Sequence, residues 1–244
     1  MKLLAFDTST EVLSIGVAAG GGVHVHTGAG GAQASFGLIA GVQSLLAQAG
    51  LAMAQLDAVV FGAGPGSFTG LRTACAVAQG LALGADLPVL PVNSLLAVAE
   101  DARLQHAPNV PEFVVLSLLD ARMDEVYAAP WRWDGVDWHA EGEIQLCAPQ
   151  SVVVPESVQC LAGNVFPVYP GRVESALAGR SLPCVAALPS ARALLQLAPG
   201  LLHQGQAVPP EQALPLYVRD KVAKTTAERE REKALQVAQR SNHG

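Results

Sequence analysis

Charge is what this sequence has least of. Asp, Glu, Lys and Arg make up 15% of its 244 residues, against roughly a quarter in an average globular chain. Between Thr27 and Ala99 the only charged side chains are Asp57, Arg72 and Asp86. Basic residues are the minority, 15 Lys and Arg against 21 Asp and Glu, for a net charge of −6. That balance excludes a large nucleic-acid footprint of the chain's own, because neutralising phosphates takes clustered Lys and Arg. Cysteine is equally sparse: Cys75, Cys147, Cys160 and Cys184 stand far apart with no Cys-x-x-Cys, which excludes a disulfide scaffold and a zinc site and suits reduced thiols in a core. No apolar run approaches the roughly 18 residues of a membrane helix. Asp7 interrupts the first apolar run, so no leader is expected and the chain reads as cytoplasmic.

What is present is a hydrophobic half, 50% of residues, arranged around one stretch. Residues 58–84 read as a buried strand, a glycine turn and a helix, and 85–94 leads into a second strand. In the turn, Gly64 and Gly66 are free to take positive φ, Pro65 fixes its own φ, and Ser67 is a good N-cap. A strand entering a helix through glycines is an anion cradle. The spacing nevertheless matches neither common phosphate motif, so phosphate contact and a purely structural turn both stand open. A hairpin precedes it: apolar runs 2–6 and 12–18 flank a polar tip of Asp7, Thr8, Ser9 and Thr10. His24 and His26 then alternate onto one face of an edge-like strand, where two ligands without a third argue for a solvated face rather than a metal site.

Residues 35–49 have helical periodicity at about 100° per residue. Leu38, Ile39, Val42, Leu45 and Leu46 fill the core arc, and the opposite arc, with Gly37, Ala40, Gly41, Ser44, Ala47 and Gln48, carries no charge. The helix after Ser67 repeats this, with Gly70, Thr73, Val77, Gly80 and Gly84 on one side and Leu71, Cys75, Ala78 and Ala82 on another. Small, uncharged outer faces fit close docking on another chain; burial inside this chain is the competing reading. A third helix runs from an Asn93 or Ser94 cap to Arg103.

The polar, proline-punctuated stretch 105–111 divides the chain. Beyond it, an apolar run ends at Asp120, turns, and returns through Tyr127, repeating the first hairpin with Asp120 in the place of Asp7. The expected organisation is an α/β chain of two similar subdomains, 1–106 and 107–223, each a hairpin sheet with following helices, then a charged helical tail, 224–244. Trp131, Trp133 and Trp138 share a hairpin and are expected to pack. Thr225 with Glu228 makes a capping box for the tail helix.

Phe6-Asp-Thr-Ser-Thr10, Gly64-Pro-Gly-Ser-Phe-Thr-Gly-Leu-Arg72, Val92-Asn-Ser94, Asp120-Ala-Arg122 and Leu216-Tyr-Val-Arg219 together resemble the TsaB (YeaZ) family. The resemblance implies the ASKHA fold, actin-like and sugar-kinase-like. It also implies a part in making N6-threonylcarbamoyladenosine in tRNA, as a non-catalytic scaffold for the related catalytic subunit TsaD, with the ATPase TsaE joining. TsaD carries a metal-binding His-x-x-x-His in a Val-Asn-His context; here those two places hold Ser94 and Val98. Serine is a poor ligand and valine none, so the resemblance implies no catalytic residue and no metal in this chain. Partner contact is expected at Gly37, Gly41, Ser44, Gln48, Gly70, Thr73, Val77, Gly80 and Gly84, and a homodimer through the same faces is the alternative for the isolated chain. ASKHA kinases have a phosphate glycine where Ser9 stands, and the later adenosine motif is thin at Gly163-Asn164. No cofactor is therefore expected on the chain alone, ATP or ADP being left to the complex and tRNA reached through it. Any nucleotide contact would fall on Asp7, Thr8, Ser9, Gly64, Gly66 and Ser67. The alternative function is an ATP-dependent phosphotransferase or metal-dependent hydrolase using Asp7 and Asp120.

Overall fold

The computed structural model describes residues 1–218; Arg219, the capping box of Thr225 with Glu228, and the tail 224–244 lie outside the described residues. The first sheet is built from β1 (Leu3–Asp7), β2 (Val12–Ala19) and β3 (Gly22–Ala29), an antiparallel series, and from β4 (Ala58–Gly64) and β5 (Val89–Asn93), which run parallel beside β1. Its order is β3-β2-β1-β4-β5. Strands β1 and β4 are buried at every position, as a parallel pair covered on both faces must be.

One face is covered by α1 (Ala34–Gln48) and α2 (Phe68–Ala85), whose Leu38, Val42 and Leu45 join Ala74, Ala78 and Ala82 in one cluster with Phe6 and Phe61. Ile39, expected in that cluster, is 39% exposed. Leu38 and Val42 fill the groove first, and Ile39 lies at the margin of the stripe.

α3 (Ser94–His106) leads to the second sheet of β6 (Phe113–Arg122), β7 (Glu125–Trp133), β8 (Trp138–Ala140), β9 (Gln145–Cys147), β10 (Cys160–Gly163) and, after α4 (Arg172–Ser175), β11 (Cys184–Ala186). The order β11-β10-β6-β7-β8, with β9 also on β7, is the first sheet's order read from the other edge. In both sheets a hairpin supplies the central strand, and two later strands join it in parallel. Asp7 and Asp120 accordingly occupy equivalent hairpin ends.

The boundary near 107 separates the sheets but not the helices. α5 (Ala191–His203) returns to the first sheet, with Leu194 and Ala198 in the cluster of Leu3, Ala5 and Val60, and the Ala191 N–H donates to Ser14 Oγ at 2.8 Å. Val208 then pairs with Val89, and the Ala213 carbonyl accepts from Cys75 Sγ and Gln79 Nε2. α3 faces the second sheet and is pinned to the tryptophan hairpin. Buried Glu100 accepts from Arg103 at 2.8 Å and from Trp138 Nε1 at 2.9 Å, and Arg103 lies over the Trp133 ring. The tryptophans thus close the back of the fold.

Asn93 caps α3, its Oδ1 accepting from the N–H groups of Leu95 and Leu96 at 2.8 and 3.3 Å. Asn93→Ala is expected to lower stability by about 1 kcal/mol, read as a lower urea midpoint at unchanged slope. An unmoved midpoint would show the cap to be idle.

Candidate functional site

The two hairpin ends face a cleft of about 320 Å³ lined by Ser9, Gly66 and Ser67 from the first half and Asp120, Arg122 and Asn164 from the second. Of the six residues expected near a nucleotide, Ser9, Gly66 and Ser67 line it, while Asp7, Thr8 and Gly64 are buried behind it. Asp7 is 1% exposed, accepts from Ser9 N–H at 2.8 Å and Ser9 Oγ at 2.7 Å, and faces Ser94 Oγ at 3.4 Å. None of these donors is charged, so burial dominates and pushes its carboxyl up to about 6.

Close approach explains the glycines here. A Cβ at Gly62 would overlap the Asp7 carboxylate, and one at Gly70 the Thr8 carbonyl. Thr8 Oγ1 donates to the Gly70 carbonyl at 2.6 Å. Three donors of the turn are also engaged: Gly64 N–H on Ser94 Oγ, Ser67 N–H on the Ser9 carbonyl, Gly70 N–H on Ser67 Oγ. The returning chain covers the turn from outside, with Leu216 N–H donating to the Ala63 carbonyl at 2.7 Å and the Leu216 carbonyl lying against Gly64.

The second half is tied in the same way. Asp120 accepts from Tyr169 Oη at 2.8 Å and from the Arg122 N–H at 2.9 Å, and its own N–H donates to Asn164 Oδ1. Burial and the Asp120 carboxylate push the Tyr169 phenol up to about 12. A Cβ at Gly163 would overlap the Leu118 carbonyl, so Gly163-Asn164 serves strand approach and the Asp120 turn. Arg122 reaches across the cleft to Glu11 and also pairs with Asp120 at 3.2 Å.

The outer face of α1 and α2 is the second candidate site, and four of the residues expected there are turned wholly or partly inward. A Cβ at Gly41 would overlap Ile15, and one at Gly37 would stand 3.2 Å from Leu13, so these glycines let α1 lie close on β2. Gly70 is buried against Thr8, and Val77 is half-buried against the core. Thr73 is half-buried, while Ser44, Gln48, Gly80 and Gly84 are exposed, and a Cβ at Gly80 or Gly84 would meet nothing within 4 Å. The exposed arc of α2 runs through Arg72, Ala76, Gly80 and Leu83, turned from the expected one because Gly70 is needed inward. On α1 the exposed arc is Phe36, Ala40, Gln43 and Ala47. Phe36 at 85% and Leu83 at 73% exposure were missed; each is a large apolar residue on an arc of alanines, a signal the wheel carried.

At the two places where the family resemblance sets the histidines of TsaD, Ser94 is fully buried with its hydroxyl engaged by Gly64 N–H, and Val98 is fully buried in the core between α3 and the second sheet. Neither side chain offers a metal a ligand.

Residues 35–167 match the family model described as TsaD, tRNA N6-adenosine threonylcarbamoyltransferase. The tRNA threonylcarbamoyladenosine biosynthesis protein TsaB of Escherichia coli K12 is 34% identical over 232 residues, covering 91% of this chain and 96% of that protein. The chain belongs to the TsaB (YeaZ) family. A second TsaB, from Haemophilus influenzae, is 33% identical over 91% of this chain and 95% of its own length. The solved structure of YeaZ from Pseudomonas aeruginosa superposes with a TM-score of 0.78 at 35% identity, covering 89% of this chain and 99% of that one. The fold is α/β with two subdomains whose sheets match in strand order, an ASKHA-like arrangement. No described helix is long and apolar enough to cross a membrane.

Proposed function

We propose that this chain acts in tRNA threonylcarbamoyladenosine biosynthesis as a scaffold subunit without catalytic residues of its own, binding the catalytic subunit TsaD through the exposed arcs of α1 and α2. The observation that carries this is the outer face itself. Phe36, Ile39 and Leu83 stand exposed on two adjacent helices, among Ala40, Ala76, Gly80 and Gly84, with Arg72 the only charge on either helix. Interface centres are depleted in charge and enriched in aromatics, and small residues let helices approach closely. Family membership over the full length of the TsaB relatives supports the process, and the residues at 94 and 98 support a non-catalytic role. TsaE is expected to join through the complex. In the absence of TsaD the same face is free for a second copy.

The competing reading is an enzyme that uses the cleft, Asp7 and Asp120 on ATP. Against it stand the N–H groups of Gly64, Ser67 and Gly70, already engaged within the chain, and the Leu216 carbonyl beside Gly64, which is an acceptor where a phosphate would need donors. Calorimetric titration separates the two. TsaD is expected to give a saturating one-to-one isotherm, and Mg-ATP none on the isolated chain. Micromolar Mg-ATP binding that Asp7→Ala abolishes, with no response to TsaD, would replace the scaffold with the enzyme.

A further inference from the structure

Each of the two sheets ends in two edge strands, and three of these four edges are blunted. β5 is bridged at Val89 by Val208, while β8 and β11 are three residues long, too short to template a partner strand. β3 is the exception. It runs eight residues, Gly22–Ala29, without Pro, Asp, Glu, Lys or Arg, and its register with β2 is unbroken by a bulge, so the charge, proline and bulge that commonly guard an edge are all missing from it.

The hairpin fixes which backbone groups of β3 are free. Gly20 and Gly21 form a two-residue turn at positive φ between the paired residues Ala19 and Gly22, a type I′ loop whose flanking residues exchange both of their hydrogen bonds. Counting on from Gly22, His24, His26 and Gly28 direct their N–H and C=O groups at β2, and Val23, Val25, Thr27 and Ala29 direct theirs outward. Among the described residues, no hydrogen bond reaches those outward groups.

The flanks of the edge are uncharged as well. Val23 and Val25, 47% and 41% exposed, stand opposite Ala18 and Gly16 on the face where Ala191 and Leu195 of α5 lie. On the other face a Cβ at Gly41 would meet Ile15 and His26, so α1 runs over the two outer strands. The stripe of α1 that holds Gly37 and Gly41 continues through Ser44 and Gln48, which are exposed and carry no charge. A two-fold axis normal to the sheet would set a second α1 beside this stripe at about 10 Å, an ordinary distance between packed helices.

We infer that β3 is a self-pairing edge: two copies of this chain join β3 to β3 antiparallel and fuse their first sheets into one. Self-complementarity selects this occupant. An antiparallel pair needs alternate residues that offer both N–H and C=O on each side, and β3 offers that pattern to itself in the two registers centred on Val25 or on His26, with no charge on either copy to oppose it. The inference does not rest on the scaffold reading, which concerns the outer arcs of α1 and α2.

Sedimentation equilibrium of the full chain is the test. The parent is expected to show a monomer–dimer equilibrium, and Val25→Lys and Val25→Glu each to weaken it at least tenfold, because in either register the two copies of residue 25 stand opposite or diagonal and like charges there repel. An equimolar mixture of the two variants should restore dimers with Lys set against Glu, which also shows that both variants fold. Gly80→Arg, which alters the rival face on α2, is expected to keep the dimer. A parent that stays monomeric at its highest soluble concentration, a dimer insensitive to both Val25 variants, or a mixture no more associated than either variant alone would each overturn the inference. So would a dimer lost in Gly80→Arg and kept in Val25→Lys, which would assign self-association to the α1 and α2 face instead.

Discussion

Gly80→Arg is expected to weaken binding of TsaD by at least about 100-fold, roughly 3 kcal/mol, without harming the isolated chain. Nothing lies within 4 Å of a Cβ at Gly80, and replacing an exposed helical glycine gains up to about 1 kcal/mol of helix stability. The monomer should therefore melt no lower than the parent while the charged side chain is forced into an apolar contact, where an unpaired charge is heavily penalised. Phe36→Asp is expected to act in the same direction, since Phe36 is the largest exposed side chain on the facing helix. Gly41→Arg makes the contrast. Its Cβ would stand 2.4 Å from Ile15 Cδ1, which must move within the packed core, so that substitution should lower the melting temperature of the isolated chain and report less cleanly on the partner. Isothermal titration against TsaD, paired with thermal melts of each variant, reads both effects. An affinity for TsaD unchanged by Gly80→Arg and Phe36→Asp together would remove the α1 and α2 face from the interface.

The second large effect concerns Asp7. Burial raises its folded pKa to about 6 from an unfolded value of 3.8. Below about pH 4 the carboxyl is neutral in both states and its ionisation costs the fold nothing. As pH rises from there to about 6, the unfolded chain ionises first, and stability falls by about 3 kcal/mol at roughly 1.4 kcal/mol per pH unit. Above about 6 the loss is complete and no longer varies. Asp7→Asn is isosteric, can still accept from Ser9 and can donate to Ser94, and it removes the buried charge. It should raise stability at pH 7.5 by about 1 to 3 kcal/mol and flatten the Asp7-dependent slope, measured by urea unfolding at a series of pH values. A variant less stable than the parent at pH 7.5 would mean that the charge is better solvated by Ser9 and Ser94 than its burial suggests.

Much of the fold was legible because its signals are local. The alternation of runs 2–6 and 12–18 about a polar tip gives the first hairpin, and the repeat of that layout around Asp120 gives the second, so the common sheet order follows. The N-caps at Ser67 and Asn93 are set by side chains that reach the next turn. The site was less legible. A glycine on a helical wheel reads the same whether it opens toward solvent, as Gly80 does, or admits Ile15 or the Thr8 carbonyl, as Gly41 and Gly70 do. Only the distance to residues far away in the chain tells these apart. The cleft lining was hidden for the same reason: Phe68, Met123, Val168 and Tyr217, which all line it, come from four separate stretches. Leu216 and Tyr217 entered through a family motif, whereas the 2.7 Å contact of Leu216 with Ala63 that covers the glycine turn has no trace in spacing.

The return of α5 and residues 208–216 to the first sheet bears on the order in which the fold can form. Leu3, Ala5, Val60 and Leu90 pack under Leu194, Leu195 and Ala198, residues that follow them by more than a hundred positions in the chain. During synthesis the first half emerges with one face of its sheet covered only by Leu96 and Ala97 of α3, and the rest stays bare until the second half has been made and folded back. Such long-range closure is slow and exposes apolar strand surface meanwhile. The two subdomains, alike in topology, are thus unequal in time: the first, though made first, is not finished until α5 arrives.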